Sequence, residues 1–147
     1  MSARGGVSKR KLKNLLEFKD REQIRGLLKL ASGKDSDNEI SEILLKFITD
    51  TKWVILGLVE GPVLFGLMGV EKTEPKTGHL HYIAVRSEKE GLGRELFEQS
   101  LKKLKFKALT VTSPEPVKDF FLKVGFQEVD AQKNEYGATI YKLKWEE

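Results

Sequence analysis

Residues 79–94 read HLHYIAVRSEKEGLGR, and this stretch decides the fold. His79 to Val85 has the composition of a strand, a short polar loop follows, and Gly91-Leu92-Gly93 opens an amphipathic helix with Leu92, Leu96, Phe97, Leu101 and Leu104 on one face. The first turn of such a helix has backbone N–H groups without intrahelical partners. The macrodipole adds about half a positive charge there, and glycines let an anion approach the backbone. A diphosphate is the natural occupant, with Lys89 and Arg94 able to add positive charge. A P-loop would need Gly-Lys-Ser/Thr, but Gly93 is followed by Arg94-Glu95; a dinucleotide fingerprint would need a third glycine where Leu96 stands.

Upstream, Trp53 to Val59 is a nearly continuous apolar run, as in a strand buried on both faces. Glu60-Gly61-Pro62 turns it into Val63–Val70, and Pro75 to Gly78 turns that into His79–Val85, giving an antiparallel meander. Before the meander come two helices. Asp20 caps the first, with Gln23 three residues on in a capping-box-like arrangement and Ile24, Leu27, Leu28 and Ala31 inward. Ser36 or Asp37 caps the second, with Ile40, Ile43, Leu44, Phe47 and Ile48 inward. Leu12 to Phe18 is read as a first strand.

Downstream, Ala108 to Thr112 is a short strand. Ser113 is expected to cap a helix with Pro114 in its first turn and Val117, Phe120, Phe121 and Val124 on one face, ending at Gly125. Phe126–Val129 and Ala138–Trp145 close the sheet as a hairpin. The 147 residues make one α/β domain of the α+β type, residues 12–147, with a mixed, mostly antiparallel sheet of about seven strands and about four helices.

The net charge of +4 sits at one end. Arg4, Lys9, Arg10, Lys11 and Lys13 all precede the first acid, Glu17. Residues 1–11 are read as a flexible basic arm, solvated and without the interleaved aromatics that stack on bases, so a nucleic-acid partner is not expected. There is no cysteine, which excludes disulfides and a thiol nucleophile, and the two histidines suggest no metal site. No apolar run approaches the ~20 residues that span a bilayer. The N-terminus has no apolar h-region, so a cytoplasmic protein without a membrane partner is expected.

Ile83-Ala84-Val85, then Glu88-Lys89-Glu90-Gly91-Leu92-Gly93, resembles motif A of the GNAT acetyltransferases, Arg/Gln-x-x-Gly-x-Gly/Ala. Phe120-Phe121-Leu122-Lys123-Val124-Gly125-Phe126 resembles their motif B, a helix ending in Gly-Phe. The resemblance spans residues 12–145 and implies a GNAT-like fold and transfer of an acetyl group from acetyl-CoA to a primary amine by direct attack, with no metal. It implies a strand ending at Val85 that splays from Ala108–Thr112. Backbone groups of Ile83, Ala84 and Val85 would pair with pantetheine, and the amides of Lys89, Glu90, Gly91, Leu92, Gly93 and Arg94 would hold the diphosphate. Ser113 would contact pantetheine. Two positions depart from the pattern: Glu88 replaces the usual Arg or Gln, and Phe121 replaces a tyrosine that protonates the leaving thiolate. These favour an alternative, a weakly catalytic or non-catalytic acyl-CoA-binding module acting as sensor or scaffold. A homodimer is compatible with such a fold.

His79 and His81 lie two apart on the strand and so share a face, with Leu80 and Tyr82 opposite. The phrase is similar to the strand of arylalkylamine N-acetyltransferases in which paired histidines help deprotonate the amine. Imidazole suits that task because it titrates near neutrality. The acceptor, a small molecule or a protein amine, stays open. Asp35, Asp37, Asp130 and Glu135 fall in loops read as flanking its site.

Overall fold

The computed structural model describes residues 9–87 and 91–147. The first eight residues, Arg4 among them, and the diphosphate-loop residues Glu88, Lys89 and Glu90 lie outside the described residues. Seven strands form one sheet: β1 (Lys11–Asn14), β2 (Trp53–Glu60), β3 (Val63–Glu74), β4 (Thr77–Val85), β5 (Ala108–Pro114), β6 (Gln127–Lys133) and β7 (Thr139–Glu146). Their spatial order is β1-β2-β3-β4-β5-β7-β6. Every neighbouring pair is antiparallel except β4 and β5. Four helices, α1 (Arg21–Ser32), α2 (Asp37–Thr49), α3 (Leu92–Leu104) and α4 (Glu115–Lys123), cover the two faces.

Each face carries its own core. Leu15, Ile24, Leu28, Ile40 and Phe47 pack against Ile55, Val59 and Leu67 on one side. Leu96, Phe97, Phe121 and Phe126 pack against Leu58, Met68, Leu109 and Leu143 on the other. Leu28, Leu58 and Leu96 are each 0% exposed, and each contributes roughly 1.5–3 kcal/mol by leaving water.

The sequence pattern places the helices and the meander well. Several of its details are corrected, Ile48 among them, which is exposed rather than inward. The first strand ends at Asn14, because the Asn14 carboxamide accepts from the Leu16 amide (2.9 Å) and turns the chain into a 3-10 turn over Leu15–Glu17. The strand also begins at Lys11, inside the stretch read as an arm, and Arg10 is ion-paired to Glu95 of α3 (2.9 Å). Ser113 does not cap α4. β5 stays paired with β7 through Pro114, alternation turns Ser113 inward, and the helix begins at Glu115 with Pro114 as its N-cap residue. Val117 is 45% exposed rather than inward, since α4 is only nine residues long and lies against the sheet through Phe120 and Phe121.

Gln23 ties the start of α1 to the sheet. Asp20 caps the helix by accepting from the Gln23 amide (3.3 Å), but the Gln23 side chain does not return to the Asp20 backbone as a capping box would. Its amide nitrogen donates to the Asp20 carboxylate (2.8 Å) and to the Pro62 carbonyl (2.8 Å). Its oxygen accepts from the Leu64 amide (2.8 Å) and from Arg86 (2.7 Å). Arg86 also donates to the Leu64 carbonyl (2.6 Å), so the residue that follows β4 is tied both to α1 and to β3. Among the described residues, no helix is long and apolar enough to cross a membrane.

Candidate active site

The β4–β5 pairing covers only Thr77–Leu80 against Ala108–Val111. β4 stays paired with β3 as far as Val85↔Gly66. From His81 to Val85, therefore, β4 has a partner on one side and an open edge on the other. The Arg86 amide donates to the Phe65 carbonyl (2.8 Å), in register with the ladder. Backbone groups alternate along an antiparallel ladder. Those of Ala84 consequently point to β3, and those of Ile83 and Val85 point to the open edge.

After the loop that follows β4, α3 begins at Leu92 and packs on one face of the sheet, with Leu92 and Leu96 in its core. Gly91 is its N-cap residue, with φ +67°, and a side chain there would meet open space. The first helical bond is from the Glu95 amide to the Gly91 carbonyl (3.0 Å), and among the described residues no side chain caps the turn. The amides of Leu92, Gly93 and Arg94 thus have no partner within the helix. Gly93 has a different reason to be glycine. A Cβ there would lie 2.7 Å from Cε1 of Phe120, so this residue lets α4 approach α3 closely. Arg94 is engaged as well: it donates to the Lys123 carbonyl at the end of α4 (2.9 Å) and pairs with Glu98 (3.6 Å).

Two further predicted residues are buried. Ser113 is 0% exposed, and its hydroxyl donates to the Pro114 carbonyl (2.9 Å). Phe121 is 4% exposed, its ring 5.3 Å from those of Phe120 and Phe126.

The histidines sit on the opposite face of β4, at a bulge. Val70 pairs with Leu80 and Gly69 with Tyr82, leaving His81 as an extra residue. The extra residue breaks strict alternation. Leu80 joins the core under α3 and α4, but Tyr82 shares the histidine face, packing against Phe47 (6.1 Å between rings). That corrects the expectation that Tyr82 points away. His81 stacks on Trp53 at 4.2 Å and touches His79 edge-on at 4.6 Å. Its Nε2 lies 3.0 Å from Oε1 of Glu71, and Nδ1 of His79 lies 2.7 Å from Oγ1 of Thr110. Burial pushes the His79 imidazole below its ordinary value, His81 adds to that, and Glu71 opposes it. Glu71, Trp53 and Thr110 went unnoticed in the sequence, because pairing register alone brings them to the histidines.

A groove of about 480 Å³ adjoins this cluster, walled by Trp53, Tyr82 and Ile43 and rimmed by Glu39, Glu42, Lys34 and Lys46. Of the acids expected near an acceptor site, Asp37 opens α2 and pairs with Lys29 (3.4 Å), and Asp130 lies on β6. The groove instead presents Glu39 and Glu42. A larger groove of about 670 Å³ runs between residues 12–20 and the β2–β3 turn and contains none of the predicted site residues. The smaller one shares Trp53 and Tyr82 with the histidine cluster, although neither histidine lines it.

Residues 36–147 match the acetyltransferase (GNAT) domain family. Among solved structures, the chain is similar to an aminoglycoside 6'-N-acetyltransferase complexed with coenzyme A (TM-score 0.78, 13% identity, 92% of this chain and 96% of that one). It is also similar to a GNAT family acetyltransferase from Elizabethkingia anophelis with acetyl-CoA bound (TM-score 0.70, 16% identity, 96% and 100%). A third likeness is to the ribosomal-protein-S18-alanine N-acetyltransferase from Escherichia coli (TM-score 0.73, 14% identity, 93% and 93%). At these identities the likeness concerns the fold. No curated protein matches by sequence comparison.

Proposed function

The chain belongs to the GNAT acetyltransferases, and we propose that it transfers an acetyl group from acetyl-CoA to a primary amine by direct attack. The observations that carry this reading are the open edge of β4 and the first turn of α3, which no side chain among the described residues caps. Pantetheine would add to that edge through Ile83 and Val85, in the manner of an extra strand. The diphosphate would lie on the amides of Gly91, Leu92, Gly93 and Arg94, together with Lys89 and Glu90 of the preceding loop. With Arg94 engaged by Lys123 and Glu98, and an acid at Glu88, the amides and helix dipole carry most of this binding.

In the proposed reaction, the acceptor ammonium yields a proton to the histidine pair. The amine lone pair attacks the thioester carbonyl, the C–N bond forms and the C–S bond breaks. The products are the N-acetyl amide, coenzyme A and one proton released to solvent. After attack the nitrogen loses a second proton to water. Because Phe121 has no proton to donate, the thiolate takes its proton from water, so that one proton in total, the one taken by the histidine pair, reaches solvent. The groove beside Trp53 and Tyr82 is the proposed acceptor entrance, with Glu39 and Glu42 attracting a cation.

Thiol release from acetyl-CoA across a panel of small polyamines, aromatic amines and peptide N-termini tests the proposal. Amine-stimulated release is expected for at least one class. The second reading, an acyl-CoA-binding module, draws on Glu88 and Phe121: tight acetyl-CoA binding without amine-stimulated release in any class would replace the transferase with that module.

A further inference from the structure

Four residues form a row across four adjacent strands on one face of the sheet. Trp53 of β2 is in register with Glu71 of β3, Glu71 with His79 of β4, and His79 with Thr110 of β5. His81, displaced by the bulge, lies against this row, stacked on Trp53 and bonded to Glu71. Both imidazoles therefore have one nitrogen held, His79 by Thr110 and His81 by Glu71.

We infer that Glu71 is a positioning residue for His81, fixing which ring nitrogen carries the proton and which is offered to the arriving amine. The inference rests on the transferase reading above. An ionised carboxylate only accepts hydrogen bonds. The nitrogen facing it at 3.0 Å must therefore be the donor, so neutral His81 carries its proton on Nε2 and its lone pair on Nδ1. The ring is further held by the Trp53 face at 4.2 Å. When Nδ1 takes the amine's proton, the resulting imidazolium stays against the Glu71 carboxylate, which stabilises it. The charged and titratable groups around the ring are Glu71 from β3, His79 and Tyr82 from β4, and Lys46 of α2, which lies 5.3 Å over Trp53. Glu71 is the acid bonded to the ring, while Glu39 and Glu42 rim the adjoining groove. Losing the partner that orients a metal-bound imidazole costs on the order of 10–100-fold, and the lower end of that range is expected for the Glu71–His81 pair.

The test uses Glu71→Ala, Glu71→Gln, His81→Gln and the Glu71→Ala/His81→Gln double variant of the whole chain. In ligand-free protein, nitrogen-resolved NMR should detect the His81 ring N–H on Nε2 in the wild type and in Glu71→Gln, whose amide oxygen still accepts. In Glu71→Ala that signal should vanish by exchange with water. With the best amine, Glu71→Ala should lower kcat about tenfold. Its KM for acetyl-CoA should stay within about twofold, and Glu71→Gln should recover part of the loss. Adding Glu71→Ala to His81→Gln should cost little more, since one residue acts through the other. A ring proton on Nδ1 in the wild type, or an equal loss in both backgrounds, overturns the assignment. If no amine is turned over, the transferase reading fails, and the ring N–H signal still decides whether Glu71 holds His81.

Discussion

Replacing His79 and His81 together with glutamine should lower turnover at neutral pH by about a hundredfold, the scale of a lost proton-transfer group, and leave acetyl-CoA affinity nearly unchanged. Steady-state kinetics beside calorimetry would check both halves. His79 has a stability signature of its own. Its folded-state basicity is depressed, chiefly by burial, so the unfolded chain binds the proton more readily. The contribution is full above the unfolded value near 6.5 and is lost as pH falls through the lower folded value. Urea midpoints measured between about pH 7 and pH 5 should fall less in His79→Gln than in the wild type. The two histidines were legible as residues, because imidazole at that place in a strand is a chemical statement. Their partners were not. Glu71, Trp53 and Thr110 reach them through cross-strand register, and a single sequence does not display register. Tyr82 was misplaced for a related reason: a one-residue bulge at His81 reverses which side the next residue takes.

At the scale of elements, the opening of α3 is where local sequence and site coincide. Gly91 and Gly93 both belong to the diphosphate pattern, yet they answer to different demands. Gly91 adopts a left-handed conformation with open space around it. Gly91→Glu should fold, at a cost of roughly 1–2 kcal/mol, and should weaken acetyl-CoA binding by placing a carboxylate where the diphosphate would sit. Unchanged affinity in calorimetry would show that the diphosphate lies elsewhere. Gly93→Ala is a contest between helix propensity, which favours alanine by about 1 kcal/mol, and overpacking against Phe120, which costs about 1–3 kcal/mol. With Cβ 2.7 Å from a ring carbon, overpacking should win, and the urea midpoint should fall. Trimming Phe120 to leucine in the same chain should return part of the loss. The helices were legible because capping residues and apolar spacing agree at Asp20 and Ser36. The β5–α4 junction was not, since Ser113-Pro114 has the form of a cap. Only pairing with β7, distant in sequence, holds Ser113 in the strand.

At the scale of the molecule, one parallel pairing within an otherwise antiparallel sheet leaves the open edge on which the candidate site rests. β4 and β5 part after Leu80 and Val111. Phe121 belongs to one of the two cores, and Phe121→Ala should destabilise the fold by about 3–5 kcal/mol, whatever its place in catalysis. The mixed sheet and its meander were readable from periodicity alone. The separation of β4 from β5 was expected only through the family resemblance, because nothing local in either strand specifies where their pairing stops. The open edge and the amides of α3 together make the claim on which all the chemistry depends. Titrating acetyl-CoA into nitrogen-15-labelled protein while following backbone amides tests it most directly. Saturable shifts should centre on Ile83 and Val85 and on Gly91 to Arg94. Saturation that leaves those amides unmoved, or no binding at all, would contradict it.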